Sequence, residues 1–154
     1  MTYNEQMQHL ANRYMQETGR TQVTSREMAL WAIEKGHWQP QPSALVRQCA
    51  DEFSRAMREE YVKDPQGRRV RVKHVATDKS GEEQIPRWAD MRFATRKHME
   101  TAFQQRRQSI VGDCKQLKND LDSYNENFNS GEAIQIVFDF TDDLAEAELI
   151  AGIG

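Results

Sequence analysis

The sequence has few cysteines and no long hydrophobic run. Its two cysteines among 154 residues, Cys49 and Cys114, lie in helical patterns without a CxxC pair. We therefore expect two reduced, buried thiols rather than a disulfide framework or a zinc site. No stretch approaches the ~18 apolar residues of a membrane-spanning helix, and the first residues lack the pattern of a signal peptide. These absences predict a cytoplasmic protein.

Motifs of catalysis and of cofactor binding are also missing. The sequence contains no GxxxxGK[ST], GxGxxG, GxSxG or HExxH motif, and its four histidines are widely separated. Asp139, Asp142 and Asp143 lack the glycine and glutamate of a calcium loop, so a solvated acidic turn is the better interpretation. We therefore expect no catalytic residues, no metal and no cofactor.

The apolar content is low for a chain of this length. Hydrophobic residues make up 38% of the sequence and the mean hydropathy is -0.87. A single domain of 154 residues is long enough to form its own core. This core must be small, or a partner must complete some of the apolar surfaces.

Charge is distributed unevenly along the chain. Residues 1–110 contain 19 Lys and Arg against 14 Asp and Glu, whereas residues 111–154 contain 2 against 10. Such segregation creates local potentials that select partners. The basic middle could meet nucleic acid or the acidic end of the same chain.

Three helices are predicted before residue 63. Apolar spacing indicates a first helix over residues 3–18, ended by Gly19. A brief extended stretch, residues 21–23, precedes a capping box at Thr24 and a short helix that is apolar nearly all round and should be buried. The third helix is expected from about Ser43 to Val62, and Asp64-Pro65-Gln66-Gly67 forms a turn after it.

The period then changes from helical to two. In the segment 69–73, valines alternate with Arg69, Arg71 and Lys73, which is typical of a half-buried strand. Residues 77–81 can turn the chain, and residues 82–88 can return as a second strand. Because proline lacks an N–H donor, Pro86 places this return strand at an edge. The segment therefore predicts a basic β-hairpin.

The longest element is a helix predicted over residues 95–127. Its second half carries a heptad seam, interrupted upstream by Arg106. The seam residues are Ile110, Cys114, Leu117, Leu121, Tyr124 and Phe128. They either pack on the first and third helices or pair with a second copy in a homodimer. A strand is expected over 133–140, followed by an acidic, small-residue tail.

The order of these elements resembles that of a winged helix-turn-helix domain. The predicted fold class is α+β, mainly α: a winged-helix-like N-terminal unit of three helices plus a β-hairpin, then a long amphipathic helix and a C-terminal strand. We expect a winged-helix-like unit over 1–94, a helix and strand over 95–140 and a tail over 141–154, in one compact domain overall. The resemblance implies a third helix in the DNA major groove and a hairpin along the backbone.

The basic strand is the best candidate for binding a polyanion. Alternate side chains on a strand lie about 6.6 Å apart, comparable to successive phosphates along a nucleic acid strand. The candidate nucleic-acid-binding residues are Arg68, Arg69, Arg71 and Lys73 of this segment and Arg47, Arg55 and Arg58 of the third helix. Further basic residues could extend the patch: Arg87, Arg92, Arg96 and Lys97. Alternatively, the charges only protect an edge strand from aggregation.

Two functions therefore remain open from the sequence. The first is a non-enzymatic nucleic-acid-binding protein, with DNA favoured over RNA, that acts as a transcriptional regulator or accessory subunit. The second is a protein-interaction or scaffold subunit that uses the heptad helix and the acidic C-terminus. Trp38 and Trp88 fit either function, since each could stack on a base or cover the core.

Overall fold

Helices dominate the structure, a computed structural model that describes residues 1–153. The α-helices are α1 (Tyr3–Thr18), α2 (Ser25–Glu34), α3 (Leu45–Arg58), α4 (Arg96–Asn127) and α5 (Thr141–Ile153), and a short 3-10 helix (Pro42–Ala44) precedes α3. The strands are β1 (Tyr61–Lys63), β2 (Arg69–Arg71), β3 (Lys73–Thr77) and β4 (Pro86–Asp90). Helices cover 57% and strands 11% of the chain, which confirms the prediction of a mainly helical α+β protein. Within residues 1–153, no helix combines the length and apolar character needed to cross a membrane.

The bounds of α1 follow from its capping residues. The Thr2 hydroxyl accepts a hydrogen bond from the Glu5 N–H, and the Glu5 carboxylate accepts one from the Thr2 N–H, at 3.1 and 2.8 Å. This reciprocal pair satisfies two donors that the first turn leaves free. Gly19 ends the helix at a φ of 70°, where a side chain would be strained. The predicted range of 3–18 is therefore confirmed at both ends.

The chain divides into two compact units, and the division falls between Ser54 and Arg55, inside α3. In the first unit, α1 packs on α2 through Tyr14 and Ala32, both of which are buried. The rings of Tyr14 and Trp31 have centroids 5.2 Å apart. The Trp38 indole N–H donates to the Tyr3 hydroxyl at 2.8 Å, which ties the loop after α2 back to α1.

Three predictions for this unit are wrong. Residues 21–23 form no strand. Helix α2 is not buried all round, since Leu30 and Ile33 are 58% and 56% exposed. Cys49 is exposed and Cys114, in the second unit, is half-buried, so neither thiol lies in a core. The apolar patterns predicted helices correctly, but a chain with so few apolar residues cannot bury the apolar face of every helix.

The second unit begins with a hairpin that the sequence placed differently. Helix α3 ends at Arg58 rather than Val62, and Tyr61–Lys63 is instead strand β1, antiparallel to β2. The Asp64 carboxylate accepts hydrogen bonds from the N–H groups of Gln66 and Arg68 and so holds the connecting turn. An aromatic and a β-branched residue next to this turn favour a strand over another helical turn.

A second hairpin follows directly. Strand β3 is antiparallel to β4, with Val75 opposite Trp88. The predicted strand 69–73 is therefore two strands with two different partners, and the return strand pairs with residues 73–77 rather than with Arg69 and Arg71. The return strand does form a hairpin, as predicted, but with β3. The most basic segment, Arg69–Arg71, belongs to the preceding β1–β2 hairpin.

Strand β3 packs on α4 and forms the core of the second unit. Val72, which precedes the strand, is 1% exposed, and His74 and Ala76 continue the same buried face. Ala102 of α4 is also buried. Small side chains on both elements allow their backbones to approach closely, while the His74 ring meets Phe103 edge-on with ring centroids 5.3 Å apart.

Two polar side chains of α4 fix this packing. The Gln105 amide accepts from the Thr77 N–H at 2.8 Å and donates to the Thr77 carbonyl at 2.6 Å, as a neighbouring strand would. The His98 Nε2 lies 3.0 Å from the His74 carbonyl oxygen, to which it can only donate. Both ends of β3 are thereby attached to α4.

The predicted C-terminal strand is absent from the described residues. Residues 133–140 form no helix or strand, and the side-chain amide of Asn125 hydrogen-bonds the N–H and C=O of Ile134. An alternating apolar pattern needs a neighbouring strand to form a ladder, and none of the four strands takes that place. The tail forms α5, whose start is held by Asp139, which accepts from the Thr141 N–H and hydroxyl.

The Gln105 contact gives a stability test. Gln105→Leu removes both hydrogen bonds and leaves the half-buried N–H and C=O of Thr77 unpaired, so we expect the free energy of unfolding to fall by about 1–3 kcal/mol. Gln108→Leu, the same change at an exposed position of α4, is the control and should change it by less than about 0.5 kcal/mol. Urea denaturation monitored by circular dichroism measures both. Equal losses would contradict the proposed tether.

Candidate nucleic-acid interface

Two of the four predicted cations after Gly67 are neutralised by carboxylates of the same chain. The Arg68 Nε lies 2.7 Å from the Asp64 carboxylate, within the turn of the first hairpin. The Lys73 ammonium lies 2.8 Å from the Glu60 carboxylate. These two side chains serve local structure, so they contribute less positive potential than their sequence position predicted.

The other two, Arg69 and Arg71, lie on a different surface. The register places Tyr61 opposite Arg71 and Lys63 opposite Arg69. The guanidinium carbon of Arg69 lies 4.0 Å from the centre of the Tyr61 ring, and the Arg71 Nε donates to the Tyr61 hydroxyl at 3.3 Å. We call this surface, formed by Tyr61, Lys63, Arg69 and Arg71, the wing face. Within residues 1–153 its three cations make no ion pair.

The pKa of Tyr61 reflects the positive potential of the wing face. The hydrogen bond from Arg71 lowers the pKa of the Tyr61 phenol below its usual value of 10.0, and the charges of Arg71, Arg69 and Arg106 lower it further. A phenolate is favoured where cations gather without anions. The same potential would attract a phosphate.

A third group of cations meets in a cleft beside the wing face. The cleft has a volume of about 480 Å³ and lies between the second hairpin and α4. Its charged and aromatic lining is formed by Arg58, Arg71, Lys73, Trp88 and Arg106, which we call the cationic cleft. The guanidinium of Arg58 lies over Trp88, 5.3 Å from the ring centre.

The remaining basic residues predicted for the interface do not join this group. Arg47 belongs to the first unit, and Arg55 is not among the residues that line the cationic cleft. Arg92 is held by Asp90 at 2.7 Å, and this guanidinium lowers the pKa of Asp90 to about 2. Arg96 is paired with Glu100 at 2.8 Å. The candidate interface therefore contains fewer of the predicted cations than the sequence indicated.

Comparisons of this chain with known protein families, with curated proteins and with solved structures find no match. Any functional argument therefore rests on the geometry of the chain itself.

The heptad seam lies along α4 as predicted, and most of it faces outward. Ile110, Leu117, Tyr124 and Phe128 are exposed, whereas Cys114 and Leu121 are half-buried. Apolar side chains at heptad spacing on one helix present the surface from which coiled coils form.

Sequence reasoning missed two cations of the interface, Lys63 and Arg106. Lys63 follows the predicted end of the third helix, and only the pairing of β1 with β2 places it opposite Arg69. Arg106 was noted as an interruption of the apolar pattern of α4. A cation on the face of a helix that packs on a sheet is itself a signal of a charged cleft, because burying it without a partner would be costly.

The coupling between Tyr61 and Arg71 can be measured. Replacing Arg71 by Gln removes the hydrogen bond and one of the charges that favour the phenolate, so the pKa of Tyr61 should rise towards 10.0. Nuclear magnetic resonance of ring-labelled tyrosine, followed against pH, reports this pKa directly. Arg13→Gln, which changes the same charge in α1, should leave the pKa unchanged. An unchanged pKa in Arg71→Gln would contradict the described geometry.

Proposed function

We propose that this chain is a non-enzymatic nucleic-acid-binding protein that contacts phosphates through the wing face. DNA is the favoured partner, and a transcriptional regulator or accessory subunit is the corresponding role. The observation that carries the proposal is the convergence of Lys63, Arg69 and Arg71 on one hairpin face without a carboxylate partner in the described chain.

The arrangement has an energetic cost that an anionic ligand would offset. Lys63 and Arg69 are directly opposite on antiparallel strands, and like charges in this position destabilise a hairpin. Some other cations of this unit do have a carboxylate partner, as Arg92 has Asp90. A phosphate backbone would supply the missing negative charge, and its binding would release counterions from the nucleic acid.

The order of elements supports the winged-helix comparison. Helices α1, α2 and α3 are followed immediately by the β1–β2 hairpin, which stands where a winged-helix domain has its wing. In the proposed arrangement, the hairpin follows the DNA backbone through the wing face, as the wing does in that fold. The mixture of acidic and basic residues on α3 suits phosphate contacts better than base readout.

Charge reversal at the wing face is the direct test. The double variant Arg69→Glu and Arg71→Glu should reduce the affinity for a short DNA duplex by at least about tenfold. It should also reduce the slope of log affinity against log salt by about 2, since each neutralised phosphate contributes about 0.9. Fluorescence anisotropy over a series of salt concentrations measures both quantities.

The matched control changes the net charge equally on other elements of the chain. Arg13→Glu with Arg26→Glu lies in α1 and α2, on exposed positions, and should keep most of the affinity. Loss of binding in both double variants would indicate a response to net charge alone. Full duplex affinity in the wing-face variant would refute the proposal.

A second candidate function is supported by the exposed seam of α4. Ile110, Leu117 and Tyr124 are each about half exposed, and apolar groups in such a row are stabilised by leaving water together. In this alternative, α4 pairs with α4 of a second copy, and the acidic C-terminal segment contacts a protein partner. The chain is then an interaction or scaffold subunit, and its hairpin cations only keep the edge strand soluble.

The seam has its own test. Leu117→Glu places a charge at its centre and should convert a dimer into a monomer, whereas Asn119→Glu on another side of the same helix should not. Sedimentation equilibrium measures the mass of each variant. A wild-type chain that is monomeric at high concentration would contradict pairing through α4.

A further inference from the structure

The cationic cleft differs from the wing face in shape. The wing face is the exposed side of a two-stranded hairpin, whereas the cleft is a concave space of about 480 Å³ bounded by β3, β4 and α4. Volumes of this size are typical of sites that enclose small molecules. A concave space of this size suits a small ligand such as one nucleotide rather than a duplex.

The lining of the cleft combines the two chemistries that a nucleotide requires. Arg58, Arg71 and Arg106 carry charges without a carboxylate partner in the described chain, while Lys73 is already paired with Glu60. Trp88 is half-buried and supplies an aromatic ring, and the planar guanidinium of Arg58 lies over that ring. Guanidinium groups bind phosphate oxygens, and aromatic rings stack on bases of any sequence.

Arg71 connects this cleft to the wing face. It donates to Tyr61 on the hairpin and also lines the cleft beside Trp88. A strand whose backbone follows Arg69 and Arg71 would therefore continue towards Arg106. The position of α4, fixed by the contact of Gln105 with Thr77, places Arg106 there.

We propose that the cationic cleft binds one unpaired nucleotide of a nucleic acid strand, its phosphate at Arg71 and Arg106 and its base against Trp88 and Arg58. This inference rests on the proposed function and specifies which form of nucleic acid the protein binds. The preferred ligand is a strand with an unpaired end or overhang rather than a blunt duplex, because a base within a duplex is not free to stack on a side chain.

Variants of α4 and β4 test the cleft without touching the wing face. Arg106→Gln and Trp88→Leu should each weaken binding of a duplex with a single-stranded thymidine overhang by about tenfold, as expected for loss of one stacked or phosphate-bound nucleotide. Binding of the blunt duplex should change by less than about threefold in Trp88→Leu, since that variant keeps every cation and the blunt ligand leaves the cleft empty. The Arg106 charge also acts on Tyr61 of the wing face, so for Arg106→Gln the expected result is a greater loss of overhang binding than of blunt-duplex binding. Trp88→Phe keeps an aromatic ring and should restore most of the affinity for the overhang.

Arg107→Gln is the matched control for charge. It makes the same substitution at the next position of α4, which is exposed and does not line the cleft, and should bind both ligands as the wild type does. Thermal unfolding of every variant checks that the fold is retained. Thymidine monophosphate serves as a separate ligand, which distinguishes a free nucleotide from a nucleotide within a strand.

The outcomes separate the cleft from the proposed function. Selective loss of the overhang preference in Arg106→Gln and Trp88→Leu supports the cleft. Equal weakening of blunt and overhang ligands, or overhang binding equal to that of the wild type, overturns the cleft while leaving the wing face in place. Saturable binding of thymidine monophosphate with no binding of any strand overturns both proposals.

Discussion

The attachment of β3 to α4 is the contact on which the second unit depends. Few apolar side chains are buried in this protein, so packing area alone fixes little. The Gln105 amide determines how α4 is positioned on β3, because it hydrogen-bonds both the N–H and the C=O of Thr77. Gln105 makes the two hydrogen bonds to Thr77 that a neighbouring strand would otherwise make, and so holds α4 at one position along β3. The Arg106 side chain follows Gln105 and reaches the cleft for that reason.

This fixed register determines where positive charge accumulates. The first hairpin presents Lys63, Arg69 and Arg71 on one face, and α4 adds Arg106 close enough to influence Tyr61. Cations that could have been neutralised nearby are neutralised: Arg68 in its own turn and Lys73 at Glu60. The unpaired cations of the first hairpin lie together on one face, and such a concentrated potential can attract a polyanion.

Several elements were predictable from the sequence because their causes are local. Helix α4 begins after Thr95, whose hydroxyl accepts from the His98 N–H, and a regular apolar period runs through it. The strand over 133–140 failed for the opposite reason. Apolar residues do alternate in this segment. A β-strand forms only when it pairs with another strand, however, and the alternation does not indicate which strand is available for pairing.

The sequence by itself determined the helices, the turns, the uneven charge and the small core, since each depends on residues close together along the chain. Tertiary structure decided which strands pair, and therefore which cations stay free. Arg68 and Arg69 are adjacent and chemically identical, yet one closes a turn against Asp64 while the other lies over Tyr61. The difference arises because a strand directs successive side chains to opposite faces and only the folded chain places a partner on each face.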